Sequence, residues 1–180
     1  MAITRLGPNN STNISGINLT SQVTGTLPTG NGGTGATSFS PGKVLQVVHA
    51  HTATQATSNS TTYADTGLTA TITPSATSSK ILVLIDQSVG KQGADTWGNI
   101  RVYRDSTEIG GAIGGRSIGY TGGSGNNYVG TGFSNSFLDT PSSTSALVYK
   151  TQFNNNQASG TVRVQVDSGQ SYICLMEIAG

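Results

Sequence analysis

Charge is scarce in this sequence. Lys, Arg, Asp and Glu make up 9% of its 180 residues, and nine basic side chains almost balance eight acidic ones. No run of Lys or Arg occurs, which removes the electrostatic basis for binding nucleic acid or an anionic membrane. Aromatic residues are only 6%. Cysteine occurs once, at Cys174, so no disulfide can form within the chain, and its apolar setting (Tyr172-Ile173-Cys174-Leu175-Met176) reads as that of a small buried hydrophobe. No apolar stretch approaches bilayer length, and Met1-Ala2-Ile3-Thr4-Arg5-Leu6 has no signal-peptide core, so the expectation is synthesis in a cytoplasm without membrane insertion. The Asn-x-Ser/Thr triplets at Asn9, Asn10, Asn13, Asn18 and Asn59 are then accidents of composition.

What the chain does have is glycine, 25 copies, and Ser plus Thr at about a quarter of all residues. With helix formers few and Thr, Val and Ile frequent, this composition suits strands joined by tight turns. A shift near residue 42 divides it. Residues 1–42 carry isolated apolar side chains (Ile3, Leu6, Ile14, Ile17, Leu19, Val23, Leu27) among Asn, Ser, Thr and Gly, and this extended arm cannot bury a core of its own. Its glycines lack the period of three that collagen needs. Gly30-Asn31-Gly32-Gly33-Thr34-Gly35 lacks the Gly-Lys-Ser/Thr ending of a phosphate loop and reads as a connector.

Residues 43–180 form a succession of short β-type runs. These are Lys43–Ala53, Thr61–Asp65, Leu68–Thr73, Lys80–Val89, Trp97–Arg104, Ser145–Phe153, Thr161–Asp167 and Ser171–Ala179. Ile81 to Ile85 is apolar on both faces and predicts a central strand buried on two sides, whereas Val162, Val164 and Val166 alternate with polar residues as in a half-buried strand. The runs predict an all-β fold: an antiparallel sandwich of jelly-roll type following the arm. Gly110 to Gly132 reads as a long loop or two weakly specified strands, where a binding module would carry specificity. Tyr120, Asn127 and Tyr128 are the candidate receptor contacts there, since aromatic faces and amides suit sugars.

His49 and His51, the only histidines, stand at i and i+2 on a predicted strand and so point to one face. At a three-fold axis six imidazole nitrogens could surround a transition metal; two solvent-facing polar residues give the same pattern. No nucleophile elbow and no paired carboxylates accompany them, so the reading is a non-enzyme with no cofactor.

Two stretches carry a resemblance. Val23-Thr24-Gly25-Thr26-Leu27-Pro28 running into Asn31-Gly32-Gly33-Thr34-Gly35-Ala36-Thr37 resembles the glycine-rich connector of tail-fibre proteins of tailed bacteriophages. Gly42-Lys43-Val44-Leu45-Gln46-Val47-Val48, Phe137-Leu138-Asp139-Thr140-Pro141 and the terminal Leu175-Met176-Glu177-Ile178-Ala179-Gly180 are similar to small virion structural or fibre proteins of marine and cyanobacterial phages. The resemblance implies a homotrimeric virion appendage, docked on another virion protein (tail adaptor, baseplate or capsid) through its arm. Its β head would face host surface polysaccharide or an outer-membrane protein. A capsid-bound head fibre or decoration protein is the alternative, with a polysaccharide-degrading enzyme behind it.

Overall fold

In a computed structural model of the chain, the structure describes residues 43–93, 96–109, 116–118, 128–157 and 159–180. Among these residues eleven strands occur in chain order: β1 (Val44–Thr52), β2 (Ala56–Ser58), β3 (Ala64–Ile72), β4 (Lys80–Gln92), β5 (Gly98–Arg104), β6 (Thr107–Glu108), β7 (Arg116–Ile118), β8 (Tyr128–Asp139), β9 (Leu147–Asn155), β10 (Thr161–Val164) and β11 (Ser171–Ile178). All their pairings are antiparallel.

Register reduces these strands to eight lines. β11 and β10 pair with successive stretches of one edge of β4, while β1 and β2 pair with β11 and β10, so each couple is a single line broken midway. Along the other edge of β4 runs β8, paired from Ile81↔Asp139 to Gln92↔Tyr128. Sheet A is therefore β1/β2, β10/β11, β4, β8, and sheet B is β3, β9, β5, β6/β7. Counted as lines along the chain, these orders are 1-8-3-6 and 2-7-4-5, the two-Greek-key arrangement of a jelly roll. The all-β sandwich expected from the sequence is thus the fold.

Alternation explains the core. Leu68, Ala70 and Ile72 on β3, Ile81, Val83, Ile85 and Val89 on β4, Ile100 and Val102 on β5, and Ile173 and Leu175 on β11 point inward and are buried between the sheets, with Leu147, Tyr149 and Phe153 from β9. At one end Arg104 closes this core, its Nη1 donating to both Asp139 oxygens at 2.7 and 2.5 Å while the Tyr149 hydroxyl donates to Asp139 Oδ2 at 2.7 Å. Burial, then the adjacent carboxylate, pushes the Tyr149 phenol well above its ordinary value. Polar residues fill the opposite end: Lys91, Thr96 and Asn155 are buried there, and Asn155 accepts from Thr96 Oγ1 at 2.5 Å while donating to Ser159 O at 2.8 Å.

Several expectations need correction. Thr61–Asp65 and Leu68–Thr73 are not separate strands: the chain turns up to Tyr63, then continues from Ala64 to Ile72 as one strand, β3, with a bulge between Asp65 and Thr69 where Gly67 takes φ +85°. Val166 leaves the alternation of Val162 and Val164 because Gln165, at φ 52, takes the left-handed conformation and puts its own side chain into the core. With its amide oxygen toward Gln87, Gln165 accepts from Gln87 Nε2 at 2.9 Å. Across this break the ladder is replaced by Gln165 N–H to Ser88 O at 2.8 Å and Ser88 N–H to Ser171 Oγ at 3.0 Å. Finally, Ile81, Val83 and Ile85 are buried, but Leu82 and Leu84 on the opposite face of β4 are only half-buried. The central strand is covered on one side by its own chain.

Candidate functional site

Pairing across sheet A fixes which side chains share its outer face. One row runs Val47, Met176, Leu82, Leu138; the next His49, Cys174, Leu84, Ser136; the third His51, Tyr172, Asp86, Ser134. Val47 is 55% exposed and Leu138 51%, although both are large aliphatic residues. Past the end of these rows Val44 and Leu45 are also exposed, where a bulge shifts the β1 register. Among the described residues, seven large hydrophobic side chains are most open to solvent: six (Val44, Leu45, Val47, Tyr128, Leu138, Tyr172) lie on strands of sheet A and Val148 on sheet B.

The outside of sheet B is different. Lys150 Nζ lies 3.0 Å from Asp65, Gln152 Nε2 donates to Asp65 Oδ1 at 2.7 Å, and Arg101 Nη1 donates to Glu108 Oε2 at 3.0 Å while its guanidinium stacks 4.0 Å from the Tyr63 ring centroid. These ion pairs are the dress of a solvated surface. The outer face of sheet B is thus ion-paired, whereas that of sheet A carries an apolar row.

The two histidines come together as the i, i+2 spacing predicts, with ring centroids 6.2 Å apart. Sequence alone did not indicate that Tyr172, brought across by the β1–β11 register, completes the group, 5.7 Å from His49 and 6.2 Å from His51. The Tyr172 hydroxyl donates to Gln170. A shallow depression of about 270 Å³ adjoins the rings, lined by His49, Leu84, Asp86, Ser136, Tyr172 and Cys174 among others. Cys174 therefore belongs to the outward set and is half-buried, which corrects its reading as a core hydrophobe. Among the described residues no three His, Cys, Asp or Glu side chains converge to hold a metal.

Of the proposed receptor contacts, Tyr120 and Asn127 lie outside the described residues. Tyr128 is not in a loop: it begins β8 and is 45% exposed on the outer face of sheet A. Its ring passes over the glycine pair Gly90–Gly130, where a methyl added at Gly90 would meet the Tyr128 hydroxyl at 3.3 Å and the Val166 side chain at 3.0 Å. Tyr128 and the histidine pair sit on opposite edge strands and, by register, roughly 20 Å apart along the strands, so they do not form one site.

No protein-family model matches the sequence, and no curated protein matches it. Among solved structures, the chain is similar to a D431N mutant VP2 protein of infectious bursal disease virus in derived T=1 particles, at 15% identity and a TM-score of 0.37. It is similar also to a structure of the Gx strain of that virus, at 12% identity and a TM-score of 0.37. Each alignment covers 76% of this chain and 37% of the other, so the chain spans little more than a third of the length of these structures. Among the described residues no helix is long and apolar enough to cross a membrane.

Proposed function

We propose that this chain is a structural protein of a bacteriophage particle, a homotrimeric tail fibre or fibre-like appendage whose residues 1–42 dock on another virion protein and whose β-sandwich head serves host attachment. The contrast between the two sheets carries the assembly part of this reading. A sandwich with an ion-paired outer face on sheet B and exposed Val47 and Leu138 on sheet A suits a component that works against other protein surfaces. The assignment to a phage fibre is supported by the sequence resemblance of the Val23–Thr37 connector and of the segments beginning at Gly42, Phe137 and Leu175. Attachment to surface polysaccharide or an outer-membrane protein is assigned to Tyr128, with Tyr120 and Asn127.

Particles purified from cells expressing this chain test the proposal. The chain should be present in fixed proportion to the coat protein, and gentle disruption should release it bound through residues 1–42 to a tail component. Capture of the major capsid protein instead would turn the reading to a capsid-bound fibre or decoration protein. Particles free of the chain would end both. Replacing Tyr120, Asn127 and Tyr128 together should abolish cell binding by the purified protein, and undiminished binding would remove the receptor assignment.

A further inference from the structure

We infer that the outer face of sheet A, centred on Val47, Met176, Leu82 and Leu138, is the surface on which copies of this chain pack against one another. The inference deepens the oligomeric reading above and rests on it only for the number of copies.

The argument starts from what the face would cost if left open. Its first row is wholly apolar from edge to edge, and the second adds Leu84 and Cys174. Asp86 is the one carboxylate in the three rows. A partner that brings little charge and much aliphatic surface is therefore required, and an identical copy supplies both without setting like charges against each other in the apolar row. Nucleic acid or a strongly charged protein would find nothing to pair with there.

Area agrees with a second copy. Four strand lines about 4.8 Å apart make the face about 19 Å wide, and the 13 residues of β4 make it about 43 Å long, so one molecule offers on the order of 800 Å². A contact over the end carrying Val47 and Leu138, with the Tyr128 end left free, uses a little over half of that, toward the small end of specific interfaces. The three rows from Val47 to Ser134 make up about half of the face, and the apolar part is the first row with Leu84 and Cys174 beside it. Packing sheet on sheet would bury Leu82 and Leu84 to the depth already reached by Ile81, Val83 and Ile85 on the other side of β4. The His49, His51 and Tyr172 rings would lie within the contact.

The test uses the full chain. Light scattering over a range of concentrations should give a multiple of the 18.3 kDa chain mass. The double substitution Val47→Asp with Leu138→Asp should reduce it to the monomer, whereas Val148→Asp, a control on the outside of sheet B, should leave the assembly intact. Because the double variant can fail by misfolding, Cys174 serves as an internal reporter in the unmodified protein. Its alkylation should slow by about tenfold or more between dilute and assembled protein, since access limits thiol reactivity. A monomer at every concentration overturns the inference, as does an assembly in which Cys174 reacts as fast as in dilute protein or one that survives both aspartates. A dimer dispersed by the two aspartates with Cys174 protected upholds this face while removing the trimer.

Discussion

Glu177 is a residue whose role its sequence position conceals. It interrupts an apolar run, points inward near the end of β11 and is 1% exposed, yet it is charged. Burial alone would raise its carboxyl; hydrogen bonds from Ser75 N–H and Oγ at 2.7 and 2.6 Å, Ser79 Oγ at 2.6 Å and Gln46 Nε2 at 2.6 Å outweigh that and hold it at about 2. One carboxylate thus ties the β3–β4 connection to β1 and β11. Because the folded value lies below the ordinary 4.5, the stabilisation is full above that pH and is lost as pH falls toward 2. Glu177→Gln should cost on the order of 2 kcal/mol at pH 7 and much less at pH 2.5. Urea denaturation at both values measures it, and an equal deficit at the two would refute the charged network. Tyr149→Phe, which deletes one donor to Asp139 but leaves Arg104 in place, should cost about 1 kcal/mol in the same assay.

At the scale of the element, β8 is the one the sequence hides. Gly130, Gly132, Ser134, Asn135 and Ser136 have poor strand propensity, and only tertiary context overrides it: twelve residues pair with β4, and Phe133 is anchored in the core at 6% exposure. Phe133→Ala should therefore cost about 3 to 4 kcal/mol in chemical denaturation, far more than its polar neighbourhood suggests, and a loss below 1 kcal/mol would mean that backbone pairing alone holds the strand. By contrast β4, β9 and β11 were legible because each carries a stretch of large apolar residues on its inward face, Ile81 to Ile85, Leu147 with Tyr149 and Phe153, and Ile173 with Leu175. The break after β10 was not legible, since a left-handed Gln165 leaves no compositional mark. The histidine pair was readable from local spacing, but Tyr172 and Cys174 join it only through register between strands more than 100 residues apart in sequence. At the Gln92 end of β4, Gly93 and Gly160 touch. Gly160 has φ +63°, and a Cβ on it would stand 2.4 Å from Gln92 O and 3.1 Å from Gly93 Cα. Gly160→Ala should destabilise by about 2 kcal/mol or more, read as a lower urea midpoint at unchanged slope.

For the whole molecule, the division near residue 42 makes a separable head the expectation. A chain beginning at Gly42 should unfold in one cooperative transition, with a melting temperature within a few degrees of the full chain. If it also keeps the assembly mass of the full chain, the contacts between copies reside in the head, whereas a drop to the monomer would move them to residues 1–41. The ends of the head are themselves tied together: Ala179 N–H donates to Lys43 O at 2.7 Å, and β1 lies antiparallel to β11 through eight registered pairs. This placement has a mechanical meaning. Inter-strand hydrogen bonds lie perpendicular to the strands, so tension drawing β1 lengthwise past β11 strains all eight pairs in shear together. Tension pulling β1 and β11 apart at their shared end opens the ladder like a zipper, one pair at a time. A head tethered through its leading strand and gripped at its far end is loaded in the strong direction, and the same head pulled by its two ends is loaded in the weak one.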